Sequence, residues 1–154
     1  MGNILIGYEY GSGMGHLARM LPIARILSDR NHQVALFVRN PQECAQIFIK
    51  EKFPILPVMN ISANIPELRM QPQYNSYSDF MAIAGCYYAD YLFTATLSWK
   101  TVFDLYKPDL IICDHSPNCC LAAPDGGLAY IILHRFWDVF VGTLFFNRRG
   151  LPGV

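Results

Sequence analysis

A histidine at the end of a glycine-rich loop is the residue of this sequence best suited to proton chemistry. The loop "GSGMG" occupies residues 11–15, and His16 follows it directly. An apolar run at 4–6 precedes the loop and a helical pattern follows it, so His16 should lie at the carboxyl end of a strand, where open α/β sheets keep their sites. Because an imidazole titrates near neutral pH, it can take a proton from a hydroxyl group. The alternative is that His16 only caps or fills the loop.

The loop itself is suited to binding a ligand. Glycines let a ligand approach the backbone, and the first turn of the following helix offers free N–H groups. A further histidine closes the last predicted strand at the same edge of the sheet. We therefore predict that substrate is bound by Gly11, Ser12, Gly13, Met14, Gly15 and His134.

A dinucleotide site is a rival interpretation of the same loop. Gly11 and Gly13 match the first two glycines of the G-x-G-x-x-G fingerprint, but His16 stands in the third place. No acidic residue closes the second predicted strand to hold a ribose, and Arg39 is there instead. An NADP-dependent reductase that uses Arg39 for the 2′-phosphate therefore stays open as an alternative.

Composition excludes several classes of function. The 154 residues fit one domain, and lysine plus arginine equals aspartate plus glutamate at 12 each, which disfavours nucleic acid. Five cysteines without zinc-type spacing indicate neither a disulfide framework nor a metal site. The sequence shows no signal peptide and no apolar run of about 20 residues, so we expect a cytoplasmic protein. With 53% hydrophobic residues, we also expect a surface that buries a ligand, a partner or a missing domain.

Apolar runs that alternate with helical patterns predict a Rossmann-like, three-layer α/β/α domain with a parallel sheet of about five or more strands. The predicted strands are 3–8, 33–38, 53–58, 109–114 and 129–134. The first helix should begin near Arg19 or carry a bend there, because Pro22 is best tolerated in a first turn. A further helix is expected at 41–51, and residues 76–106 form either one long helix or two in tandem with the break at Gly85. The aromatic residues of this last range have roughly helical spacing, which favours core packing for Tyr87, Tyr88, Tyr91, Phe93 and Trp99.

Two stretches resemble a known family. "GSGMGHLARMLPIARILSDRNHQVALFV" and "KPDLIICDHSPNCCLAA" are similar to the first domain of GT-B glycosyltransferases, in the macrolide, UDP-glycosyltransferase and MurG-like group. Asn31 stands where that family has a glycine, and asparagine is the best substitute in a left-handed helix cap. The resemblance implies that residues 1–147 form the acceptor-side half of a GT-B fold, with 148–154 a tail or the start of a linker.

The resemblance also implies a mechanism. His16 would be the general base that deprotonates an acceptor hydroxyl, which then attacks a nucleotide sugar with inversion, a UDP- or dTDP-sugar being expected. Asp114, at the position where the family's strand-four aspartate stands, would orient the histidine ring. This His16–Asp114 pair, called the dyad below, needs no metal or cofactor. From the residues alone, Asp114 could equally cap a helix that starts at Ser116 or Pro117.

In that family a second domain holds most of the nucleotide sugar. The resemblance therefore implies a missing or separate C-terminal donor-binding half, and we expect no enzyme activity from this chain alone. The acceptor would be a small molecule or a lipid-linked alcohol, with Arg148 and Arg149 giving at most peripheral membrane contact. A third alternative is a non-catalytic domain that forms a homodimer through the apolar stretch "FWDVFVGTLFFNRR".

Overall fold

A computed structural model describes residues 1–10, 14–48, 50–51, 53–58, 76, 79, 81–82, 84–123, 129–136 and 139–145, the last two ranges as backbone only. Within these ranges the helices are α1 (Met14–Asp29), α2 (Pro41–Phe48), α3 (Ala89–Tyr106) and α4 (Pro117–Ala122). The strands are β1 (Asn3–Tyr8), β2 (Gln33–Val38), β3 (Ile55–Pro57), β4 (Leu110–Asp114), β5 (Ala129–Phe136) and β6 (Val139–Phe145).

The strands form one sheet in the order β3-β2-β1-β4-β5-β6. The first five strands of this order are parallel, and β6 is antiparallel to β5. The predicted parallel sheet of about five strands is therefore confirmed. The sixth strand was not predicted, because we interpreted its apolar stretch as a surface for a second copy of the chain.

Side chains of β1 alternate between two cores, one on each face of the sheet. Ile4, Ile6 and Tyr8 pack with α1 and α2, whereas Leu5 packs with α3 and α4. Gly7 belongs to the second face, where a Cβ atom would come within 3.1 Å of the Trp99 ring. The predicted three layers are thus confirmed, since one strand supplies both cores.

Helix α1 begins earlier than predicted. It starts at Met14 rather than near Arg19, and Pro22 lies inside it. Pro22 cannot donate to the carbonyl of Ala18, but it is exposed, so water can satisfy that carbonyl. Burial of Leu17, Met20 and Ala24 against the sheet outweighs the lost hydrogen bond.

The end of α1 confirms the prediction made for Asn31. This residue has φ 63°, in the left-handed region. The N–H of His32 donates to the carbonyl of Leu27 at 3.1 Å, and the N–H of Asn31 donates to that of Ser28 at 2.9 Å. These two bonds form a Schellman motif, in which asparagine takes the place usually held by glycine.

The predicted break at Gly85 is also confirmed. Gly85 has φ 96°, and the N–H of Cys86 donates to the carbonyl of Met81 at 2.9 Å. A new helix, α3, starts at Ala89 and buries Trp99 against the sheet and Tyr91 in a separate small cluster. Core packing was wrongly predicted for three other aromatic residues, which are exposed: Tyr87 and Tyr88 precede α3, and Phe93 lies off its buried face.

Two predicted elements have different bounds in the structure, and one predicted domain boundary lies outside the described residues. Strand β3 is shorter than its predicted range of 53–58, and α2 ends at Phe48 rather than residue 51. The tail at 148–154 lies outside the described residues, so the domain boundary stays a prediction. None of the described helices is long and apolar enough to cross a membrane.

Candidate functional site

The candidate site lies where the strand order reverses, between β1 and its neighbour β4. Tyr8 and Asp114 are register partners at the carboxyl ends of these strands. Because strand side chains alternate, both fall on the sheet face that α1 covers, together with Ile6 and Ile112. Such a switch point is where open α/β sheets bind ligands.

The structure brings the two predicted catalytic residues together. His16 stands in the first turn of α1, and its Nδ1 lies 3.2 Å from Oδ2 of Asp114. The Asp114 side chain is fully buried, and 22% of the His16 side chain is exposed. When Nδ1–H donates to the carboxylate, the lone pair on Nε2 is the one that can accept a proton.

Two aromatic rings pack on the imidazole of His16. The ring of Tyr8 is 5.1 Å away at an interplanar angle of 26°, and the ring of His115 is 5.7 Å away at 20°. Burial raises the pKa of Tyr8 to about 12, and the negative charge of Asp114 adds to the effect. Tyr8 is therefore a neutral phenol at pH 7, and the stacked rings restrict the rotation of His16.

Arg19 is part of the same cluster, a role that the sequence reasoning missed. It follows His16 by one turn of α1, and its Nη2 lies 3.2 Å from His16 Nδ1 and 3.5 Å from Asp114 Oδ2. The sequence feature that could have indicated this contact is the spacing of three residues between His16 and Arg19, which makes them neighbours on a helix.

Glu9 is a second residue that the sequence reasoning missed. One carboxylate oxygen accepts from Trp99 Nε1 at 2.6 Å, and the other accepts from the backbone N–H groups of Asn118 at 2.9 Å and Cys119 at 3.3 Å. Burial raises the pKa of Glu9, and these hydrogen bonds oppose that shift. The only sequence feature that could have identified Glu9 as a site residue is its position directly after β1.

The first turn of α4 is capped by Glu9. The hydrogen bonds and ion pairs of Asp114 among the described residues go to His16 and Arg19 on α1. Ser116, the residue before α4, makes no side-chain cap bond. The open question between a helix cap and a partner for His16 is therefore answered by the geometry in favour of the partner.

The predicted ligand-binding loop is described only in part. Met14 is exposed, and a Cβ atom on Gly15 would meet nothing within 4 Å. The other three loop residues, Gly11, Ser12 and Gly13, lie outside the described residues. The substrate-binding role of the loop stays a prediction.

His134 lies within β5 rather than at its predicted end, since the strand continues to Phe136, and Arg39 lies just beyond the end of β2. The backbone of His134 comes one residue after Leu133, which pairs with Asp114, and its side chain is not described. Arg39 follows β2 and is exposed. Neither the substrate role of His134 nor the NADP alternative is tested by these positions.

The cysteines lie apart from the candidate site chemistry. Cys44, Cys86, Cys113, Cys119 and Cys120 are free thiols. In the part of the chain that the structure describes, no three His, Cys, Asp or Glu side chains are grouped to hold a metal ion. That the chain works without a metal or cofactor stays a prediction.

Solved structures share this fold. No protein-family model matches the chain, and no curated protein sequence matches it either. MurG of Acinetobacter baumannii superposes with a TM-score of 0.57 at 15% identity, covering 87% of this chain and 37% of MurG. CalG4, the calicheamicin glycosyltransferase, gives 0.58 at 15% identity over 86% of this chain and 32% of CalG4. The glycosyltransferase VinC, in complex with dTDP, gives 0.51 at 18% identity over 83% of this chain and 33% of VinC.

These likenesses show that the chain has the fold of a Rossmann-like half of a GT-B glycosyltransferase. The fold also occurs in a UDP-N-acetylglucosamine 2-epimerase, with a TM-score of 0.54 at 12% identity. The chain spans about a third of the length of the glycosyltransferases that it matches, between 32% and 37%.

Proposed function

We propose that the chain is the acceptor-binding N-terminal half of an inverting, nucleotide-sugar-dependent glycosyltransferase. The observation that carries the proposal is the 3.2 Å contact between His16 Nδ1 and Asp114 Oδ2. It lies at the carboxyl edge of a sheet whose fold is shared with MurG, VinC and CalG4. A base held by a buried carboxylate at such an edge suits the activation of a hydroxyl group.

In the proposed reaction, an acceptor hydroxyl gives its proton to Nε2 of His16. Its oxygen forms a bond to the anomeric carbon of the sugar, and the bond from that carbon to the diphosphate breaks on the opposite side. The bonding electrons leave with the diphosphate, and the configuration inverts. Asp114 accepts from Nδ1–H and stabilises the imidazolium that forms. No metal or further cofactor takes part in these steps.

The acceptor in this proposal is a small-molecule or lipid-linked alcohol. The substrate would contact His134 and residues 11–15. The donor would be a UDP- or dTDP-sugar, and the dTDP bound to VinC supports this choice. We place the reaction in the cytoplasm, with at most peripheral membrane contact.

A donor-binding half completes the enzyme in this proposal. The match covers 37% of MurG and 32% of CalG4, so about two thirds of each glycosyltransferase lies outside it. That half would be a separate or C-terminal partner, or a second copy of the chain. Without it we expect weak binding of the donor and no transfer.

A ligand screen tests the proposal. The melting temperature of the chain is measured with UDP-, dTDP- and GDP-sugars, with NADP(H), and with a panel of hydrophobic alcohols, for the wild type and for His16→Ala. We expect an alcohol to raise the melting temperature and nucleotide sugars to have little effect. The rise should be smaller in His16→Ala, because the hydroxyl then loses its hydrogen-bond acceptor.

Two results would contradict the proposal. Stabilisation by NADP(H) that disappears in Arg39→Ala would indicate the reductase instead. A tight dimer in light scattering, with no response to any ligand, would indicate a non-catalytic assembly domain. The Arg39→Ala variant serves as the matched control in the alcohol arm, because Arg39 follows β2 rather than contacting the dyad.

A further inference from the structure

The carboxylate of Asp114 has two partners on one helix. Both His16 Nδ1, at 3.2 Å, and Arg19 Nη2, at 3.5 Å, approach the same oxygen, Oδ2. Arg19 Nη2 also lies 3.2 Å from His16 Nδ1. An imidazole nitrogen either donates or accepts a single hydrogen bond, so Nδ1 cannot donate to Asp114 and accept from Arg19 at once.

We propose that Arg19 is a positioning residue that keeps His16 neutral, with its proton on Nδ1, by carrying the countercharge of Asp114. The inference rests on the proposed function, since it concerns the same base. It adds a residue whose role is to leave Nε2 unprotonated and ready to accept the proton of a hydroxyl.

Burial of Asp114 selects the tautomer. The side chain is fully buried, and among the described residues Oδ1 has no hydrogen-bond partner, so Oδ2 carries the contacts of the carboxylate. A buried charge requires donors. With the proton on Nδ1, Oδ2 accepts a hydrogen bond from His16 and forms an ion pair with the Arg19 guanidinium at 3.5 Å. With the proton on Nε2, the lone pair of Nδ1 would face the carboxylate at 3.2 Å, which is repulsive.

The charge of Arg19 opposes a second proton on His16. A guanidinium is always protonated, and an imidazolium would place a like charge 3.2 Å from it. The other groups that face the ring are Asp114 on β4, Tyr8 on β1 and His115 after β4. Glu43 and Arg39 act on Tyr8 from farther along the chain. The positive charge of Arg19 thus balances the negative charge of Asp114 while the His16 ring carries only one proton.

Nitrogen NMR of the whole chain tests the inference without any substrate. The two ring nitrogens of His16 are observed at pH 7.5 and assigned by comparison with His16→Gln. In the wild type we expect Nδ1 to resonate as a protonated nitrogen and Nε2 as an unprotonated one. In Arg19→Gln the carboxylate keeps only the imidazole as a partner, so both nitrogens should shift to the protonated position.

Arg19→Lys keeps the positive charge and should keep the wild-type shifts. Arg25→Gln is the matched control, because Arg25 lies on the same helix and pairs with Glu51 at the surface, away from the dyad. A wild-type ring with its proton on Nε2 would overturn the inference, and so would an Arg19→Gln spectrum that matches the wild type. Neither result depends on the alcohol screen, so the two proposals fail separately.

Discussion

At the scale of single residues, the two ring nitrogens of His16 have different roles in the proposed reaction. Asp114 is bound to Nδ1 of His16, and the opposite nitrogen is left for the substrate. Tyr8 and His115 pack on the ring, and Arg19 shares the carboxylate. In the proposed reaction, the position of the base would therefore depend on neighbouring side chains as well as on His16 itself.

Removal of either member of the dyad should abolish most of the transfer in the enzyme assembled with its donor half. We expect His16→Ala and Asp114→Asn each to lower kcat by about 10²- to 10⁴-fold, the usual share of general base catalysis. Initial rates of sugar transfer measure the effect. His32→Ala is the control, because His32 precedes β2 at the opposite edge of the sheet. Equal losses in all three variants would indicate damage to the fold rather than to the base.

Tyr8→Phe should stabilise the protein. The Tyr8 hydroxyl is buried and has no hydrogen-bond partner among the described residues, so its removal should raise the free energy of unfolding by about 1 kcal/mol at pH 7. Because the pKa of Tyr8 is raised to about 12, the stability linked to this group is complete below pH 10 and is lost as the pH rises through 12. The advantage of the variant should therefore grow between pH 10 and pH 12.

Urea unfolding of both proteins at pH 7, 10 and 11.5 measures this difference. A variant that is less stable than the wild type at pH 7 would show that the Tyr8 hydroxyl has a bonded partner. A constant difference across the series would show that Tyr8 titrates alike in the folded and unfolded chains.

At the scale of elements, β1 permits α3 and α4 to approach the sheet because residue 7 is glycine. A Cβ atom there would lie 3.1 Å from Cη2 of Trp99 and 3.3 Å from Sγ of Cys119. Trp99 is fixed in turn by its hydrogen bond to Glu9. The space is therefore filled by groups that have little freedom to move.

Gly7→Ala should destabilise the protein by about 1–3 kcal/mol, the usual cost of overpacking a core. Gly15→Ala is the matched control, because its Cβ atom would meet nothing within 4 Å. Since alanine favours a helix over glycine by up to about 1 kcal/mol, that variant should be neutral or more stable. Urea unfolding compares the two, and equal effects would contradict the packing argument.

The helix end at Asn31 gives a second prediction at this scale. Asn31 has φ 63°, a conformation that costs other residues with a side chain about 1–2 kcal/mol. Asn31→Gly should therefore keep or slightly raise stability, whereas Asn31→Val should lower it by more than 1 kcal/mol. Thermal unfolding measures both variants. A valine variant as stable as the wild type would show that the Schellman motif is not retained in solution.

At the scale of the whole molecule, β1 and its neighbours β2 and β4 each contribute side chains to both cores. Ile4 and Ile6 of β1 pack with α1, and Leu5 packs with α3 and its Trp99. Loss of either core therefore removes support from the same strand. The two faces should unfold together rather than in steps.

The Trp137→Phe variant tests this cooperativity, because it leaves Trp99 as the one tryptophan. We expect its fluorescence, which reports the α3 face, to change at the same urea concentration as the far-UV circular dichroism of the whole chain. A fluorescence transition at lower urea would show that the α3 face opens independently.

Much of this architecture is local information that the sequence determines by itself. The strands at 3–8 and 33–38 are continuous apolar runs between turn residues, and the structure has the same bounds. Asn31 and Gly85 mark helix ends because few residues adopt positive φ. The place of His16 at a sheet edge follows from the order of strand, loop and helix.

Tertiary structure alone decided which side chains meet. His16 and Asp114 are 98 residues apart, and the residues by themselves left Asp114 free to cap a helix. That cap is Glu9, which reaches Asn118 across 109 positions of sequence. Periodicity shows which face a side chain takes but not what lies opposite it. The roles of Arg19 and Glu9 and the pairing of β6 therefore depended on how the sheet is assembled.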